Sequence, residues 1–191
     1  MTAETNEEAE KGSPVNEPRT IEEQYTSAGN ADDLTVTSER RTDADVLIAS
    51  GWTPGLLGGV LMRLHSEWDG AAKKRHMDET EAFLLFSQLK TLRRAVDGIA
   101  AWAERKGHKE PRTLANAVLI YWLYDICQPC SGRGHELIHG TPSLGRACRK
   151  CGGSGKRHSP GGELGKAALN MMDECVHVAR QSMRLRLRNM L

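Results

Sequence analysis

The chain has 191 residues, 39% of them hydrophobic and 27% charged, and a formal net charge of +1. That composition excludes a collagen-like, wholly coiled-coil or wholly unstructured protein, and the length fits one ordinary domain with appendages. The longest strongly apolar run, Leu114 to Leu123, is about half of the roughly 20 residues that cross a bilayer, so no membrane is expected.

The small net charge conceals an asymmetry. Residues 1–45 carry twelve acidic and four basic side chains, and from Arg146 onward ten Lys or Arg face three acids. The first stretch mixes Glu, Asp, Thr, Ser, Asn, Gly and Pro without a sustained period, which predicts a disordered acidic arm. It opens on Glu4, Glu7, Glu8 and Glu10, not on a basic region followed by an apolar one, so a cytoplasmic setting is expected. The basic end attracts a polyanion at long range and makes nucleic acid the first partner to consider. The plainer reading of such charge is a solvated face.

Residues 46–126 read as a helical region. Thr53 and Pro54 predict a helix start, after which Leu57, Val60, Leu61, Leu64 and Trp68 recur at helical spacing. Asp78 and Glu81 have capping-box spacing before a second helix expected to run unbroken through Leu85, Phe86, Leu89, Leu92, Val96, Ile99 and Ala103 until Gly107. Pro111 and Thr113 open a third, Leu114 to about Ile126, apolar on nearly every side and therefore expected at the centre. Residues 159–191 predict a basic C-terminal helix, with Leu164, Ala168, Met171, Met172, Cys175, Ala179 and Met183 on one face and Arg180, Arg184 and Arg188 in a second stripe. No segment alternates over strand length. The fold class is mainly α, with an inserted four-cysteine module at 127–158.

That module carries the strongest signal. Cys127 and Cys130, then Cys148 and Cys151, form two C-x-x-C pairs separated by 17 residues, the spacing of a four-thiolate zinc site. Each pair is followed by glycines at the same offsets, Gly132 and Gly134 in CQPCSGRG, Gly153 and Gly155 in CRKCGGSG. Knuckles that fold backbone N–H groups toward thiolates need residues tolerant of positive φ and close approach. Disulfides or unligated thiols are the alternatives, and a reducing compartment favours one structural zinc ion. Cys175 reads as a packed small hydrophobe. His135, His139 and His158 lie nearby, but four thiolates already fill a tetrahedral shell and leave no position for a reacting water.

No other chemistry is evident. Gly51, Gly55, Gly58 and Gly59 match neither a phosphate loop nor a dinucleotide fingerprint. His65 with Glu67, and His76 with Asp78 and Glu79, read as solvated polar surface. Neither an enzyme nor a small-molecule substrate is expected. Arg149, Lys150, Lys156 and Arg157 stand beside the knuckles and, with Arg180, Arg184 and Arg188, are the candidate contacts to phosphates. The alternative for the first two is to offset the anionic thiolate cluster.

The C-x-x-C-x-G-x-G unit resembles the cysteine-rich region of DnaJ-type co-chaperones, which carry four such repeats and a J-domain with a His-Pro-Asp tripeptide. This chain has two repeats and no His-Pro-Asp. The order of parts over about residues 110–180 resembles the late-gene antiterminators of lambdoid phages, the Q proteins: an apolar helix, a first CxxCxGxG, a short intervening segment, a second CxxCxGxG and a helical end. That resemblance implies a zinc-containing factor that binds double-stranded DNA at a phage late promoter and engages bacterial RNA polymerase holoenzyme so that it reads through terminators. The DnaJ resemblance implies a chaperone or a protein-interaction module without nucleic-acid binding.

Overall fold

A computed structural model describes residues 20–36, 42–51, 53, 55–72, 77–138 and 143–189. Seven helices lie among them: α1 (Ile21–Gly29), α2 (Asp43–Gly51), α3 (Leu56–Ala72), α4 (Glu79–Ser87), α5 (Leu92–Arg105), α6 (Pro111–Leu123) and α7 (Gly162–Asn189). Between α6 and α7 the chain forms a short 3-10 turn, Gln128–Cys130, and two strands, β1 (His135–Leu137) and β2 (Leu144–Ala147). The strands pair antiparallel, His135 with Ala147 and Leu137 with Leu144, with an irregularity between. The mainly helical class with a four-cysteine module therefore stands. No helix of the described residues is long and apolar enough to cross a membrane.

The acidic arm needs correction within 20–45. Thr20 and Glu23 form a reciprocal capping box, the Glu23 N–H donating to Thr20 Oγ1 at 3.2 Å and the Thr20 N–H to the Glu23 carboxylate at 2.8 Å. The helix they start buries Ile21 and Ala28 in the main core. Asp45, in the first turn of α2, accepts from both the N–H and the hydroxyl of Thr42. Those apolar residues are too few to show a period, but two correct caps and three or four buried side chains suffice when a large core is already present. Residues 1–19 and 37–41 lie outside the described residues.

Thr53 does not cap α3. Its hydroxyl donates to the Ser50 carbonyl at 2.9 Å and so closes α2, and α3 starts three residues later. The expected long second helix is two helices. Asp78 caps α4 as predicted, but Gln88–Thr91 breaks the run, because the Glu67 carboxylate of α3 accepts from the Thr91 N–H at 3.0 Å and from its hydroxyl. Thr91 is buried, so this long-range carboxylate contact outweighs the continuation of the helix. Leu89 and Leu92 still reach the core across the break, which is why the apolar spacing ran on unbroken.

The core has its fully buried centre at Leu61 and Leu64 of α3, Ile99 of α5, Val118 and Leu119 of α6, and Met172, Met183 and Leu187 of α7. The third helix is therefore not central alone, and it ends at Leu123 because Tyr124 takes an extended conformation with φ −144°. Gly58 explains how α3 lies on α7. A Cβ there would stand 2.3 Å from the Cys175 carbonyl oxygen and 3.0 Å from the Ala179 Cβ, so only glycine permits the approach.

Candidate metal centre

The two cysteine pairs converge. All four sulfurs lie within 4.8 Å of one another, and all four residues are buried. Cys127 and Cys148 Sγ are 4.0 Å apart, Cys130 and Cys151 Sγ 3.8 Å. A disulfide would bring sulfurs to about 2.05 Å, whereas a tetrahedral ion with metal–sulfur bonds of about 2.3 Å sets them about 3.8 Å apart. The donor set can hold a metal ion and is compatible with zinc. It forms a small cluster of its own, separate from the main core.

The glycine repetition has a geometric origin that extends beyond the thiolates. In each repeat the residue after the second cysteine and the two glycines take positive φ: Ser131 51°, Gly132 78° and Gly134 74° in the first, Gly152 62°, Gly153 93° and Gly155 74° in the second. The repeats then clasp each other. The Cys127 N–H donates to the Gly155 carbonyl at 2.8 Å, and the Cys148 N–H donates to the Gly134 carbonyl at 2.7 Å. A Cβ on Gly134 would meet the Gly153 oxygen at 2.3 Å, and one on Gly155 would meet the Gly132 oxygen at the same distance. Each glycine is thus needed by the other repeat as well as by its own knuckle.

In Cys127 burial together with its cysteine neighbours pushes the pKa up to about 12. In Cys151 the burial effect is outweighed by the N–H groups of Gly155 and Gly153 and by the neighbouring thiols, which hold it down at about 6. The Gly155 N–H stands 3.3 Å from Cys151 Sγ. Of the two thiols, Cys151 is the readier thiolate.

The two residues between the ligands distinguish the repeats. In the first, Gln128 donates through Nε2 to the Tyr124 hydroxyl at 2.9 Å, and that hydroxyl donates to the Met77 carbonyl at 2.7 Å. This knuckle is anchored on the helical body. In the second, the same positions are Arg149 and Lys150, both exposed.

The other sequence-predicted cations are differently placed. Lys156 pairs with Asp125 at 2.6 Å, which raises its pKa and keeps it charged. Arg157 donates to the carbonyls of Tyr124 and Ile120 and lies 5.9 Å over the Tyr124 ring, so its guanidinium caps the end of α6 and faces inward. Arg180 is half-buried and lines a cleft with Trp122, whereas Arg184 and Arg188 are exposed. Of these cations Lys156 and Arg157 bind partners within the chain, and Arg149, Lys150, Arg184 and Arg188 are exposed. His135 turns Nδ1 toward the Gly145 carbonyl at 3.3 Å, His158 is exposed and His139 lies outside the described residues. Cys175 packs half-buried near Met171, as a small hydrophobe does.

Two acids assigned to solvated surface have structural work. Glu67 fixes the α4–α5 break, and Asp78 caps α4. The Asp78 role was readable from spacing, but the partner of Glu67 lies 24 residues away and left no local signal. Compared with family models, curated proteins and solved structures, the chain matches none.

Proposed function

We propose that the chain is a transcription antitermination factor of the phage Q type, a double-stranded-DNA-binding protein built on one structural zinc ion that acts on bacterial RNA polymerase at a late promoter. The observation that supports it best is the inequality of the two knuckles. One is tied to the helical body through Gln128 and Tyr124, so the other offers Arg149 and Lys150 on a support whose rigidity reduces the ordering cost of each phosphate contact. Zinc supplies no chemistry beyond holding four thiolates, since such a shell has no open position. Polymerase engagement rests on the resemblance.

A salt titration of binding to a duplex late promoter tests the DNA step. Arg149→Ala/Lys150→Ala should lower the log–log slope by about 0.9 for each lost phosphate contact. Arg157→Ala should lower thermal stability and leave the slope unchanged, because its guanidinium serves α6. Terminator read-through by purified bacterial polymerase tests the function itself. Absence of duplex binding at low salt would overturn the reading.

One observation favours the second reading, a protein-interaction module. Leu137, Leu144 and Ile138 on the hairpin between the knuckles are about half exposed or more. If Leu144→Ser abolished read-through while duplex binding persisted, the hairpin would be the protein-contacting part. Suppression of client aggregation without any DNA binding would establish the chaperone-type alternative.

A further inference from the structure

Away from the cysteines, a cleft of about 510 Å³ opens where α3, α6 and α7 meet, lined by His65, Trp122, Asp173, Glu174, His177 and Arg180. Its size is within the range of small-molecule sites. One wall is an aromatic corner: the His65 ring stands edge-on to Trp122, with centroids 5.2 Å apart and planes at 78°. Both rings are fixed by carboxylates. The indole N–H donates to Asp173 Oδ1 at 3.0 Å, and His65 Nδ1 lies 2.9 Å from Asp69 Oδ2.

The adjoining wall is one face of α7, which meets the aromatic corner at Asp173. Asp173, His177, Arg180 and Arg184 follow at spacings of four, three and four residues, which puts them in a row. Carboxylates therefore lie at one end of the row and guanidiniums at the other. Arg184 follows Arg180 by one turn and is close enough to act on it electrostatically. A metal is not what these groups suit, since among the described residues only the four cysteines bring their donor atoms within reach of one ion.

A flat ring, acceptors for ring amino groups and then paired cations match one ligand chemistry, a nucleobase followed by its phosphate. We propose that the cleft binds an unpaired nucleotide, its base against Trp122 and the carboxylates of Asp173 or Glu174, its phosphate on Arg180 and Arg184. A base within a duplex is stacked on both faces and cannot enter a recess between three helices, so the source is a single strand or a free mononucleotide. This rests on the nucleic-acid reading of the α7 arginines and adds an unpaired base to it.

The test measures binding of labelled single-stranded oligodeoxyadenylate, with adenosine monophosphate as competitor, to the full zinc-loaded chain, alongside duplex binding. Wild type should bind the single strand with quenching of tryptophan fluorescence. Trp122→Leu should lose most of that quenching and about tenfold or more in affinity, the scale of one base–aromatic stack, with duplex binding kept. His177→Ala, at an exposed position, should weaken single-strand binding several-fold and guards against a Trp122 variant that does not fold. Competition by the mononucleotide at concentrations similar to the oligonucleotide would assign the site to free nucleotides; failure to compete would assign it to strands. Equal single-strand binding by wild type and both variants overturns the cleft, as does no binding of either probe by wild type. If duplex binding survives that result, the antiterminator reading stands without the cleft; if it is lost too, both fall.

Discussion

Cys151 and Cys127 illustrate how the same burial gives opposite outcomes in two residues of one cluster. Cys151 receives the N–H of Gly155 and is held down at about 6, while Cys127 is pushed up to about 12. In the metal-free fold Cys151 is therefore a thiolate near pH 7, and zinc uptake there should release fewer than four protons. Calorimetric titration in buffers of different ionisation enthalpy counts them, and a release of four would contradict the lowered Cys151 pKa. The sign for stability follows. A pKa lowered from 9.0 to about 6 stabilises the metal-free fold fully above pH 9, and that contribution declines as the pH falls toward 6. Cys127 acts in the other direction, stabilising below pH 9 and losing its contribution as the pH rises toward 12. Below about pH 6 protons compete for every thiolate, so zinc affinity should fall steeply on acidification through that range.

Among the elements, α3 and α7 are set by a glycine that composition alone leaves unexplained. Gly58 falls in a cluster that suggests a phosphate loop and fails to be one, and its actual partner, the Cys175 backbone, lies over a hundred residues away. Helix propensity favours alanine over glycine by up to about 1 kcal/mol, so Gly58→Ala would stabilise an isolated helix. Here a backbone oxygen stands in the way and cannot rotate aside. The substitution should instead destabilise the protein by about 1–3 kcal/mol, read as a fall in thermal midpoint; an unchanged or higher midpoint would show that the helices separate without cost. Legibility follows the same division. The caps at Asp78, the end at Gly107 and the heptad-like faces of α3 and α7 were readable because their causes lie within a few residues. The break at Thr91 and the docking of α1 were not, since Glu67 and the core surface that receives Ile21 and Ala28 are distant in sequence. Removal of residues 1–36 should accordingly lower the thermal midpoint by several degrees, because it uncovers the surface that α1 buries.

At the scale of the whole molecule, two cores meet around Tyr124. The helical core and the cysteine cluster are separate, and Tyr124 joins them: it packs beside Trp68 at 6.1 Å, donates to Met77, accepts from Gln128 and lies under Arg157. The candidate site was legible in the sequence down to its ligands because thiolate spacing and glycine offsets are local rules. The reciprocal clasp of Cys127 on Gly155 and Cys148 on Gly134 was not, since each half looks self-sufficient alone. The separation of the cores predicts how the protein responds to metal removal. Without an ion the thiolate cluster keeps the knuckles only weakly closed, as metal binding in such sites is folding energy, whereas the helical body rests on a core of about thirty buried residues. Chelation of zinc should therefore release protection from hydrogen exchange over about residues 126–157 and at Met77, leave α1 to α7 largely protected, and shift the emission of Trp68 as Tyr124 loosens. Loss of all helical protection together with the hairpin would instead make Tyr124 the keystone of a single cooperative unit, and Tyr124→Phe, which removes the hydrogen bonds to Met77 and Gln128 but keeps the ring, would then lower the global stability by the same route.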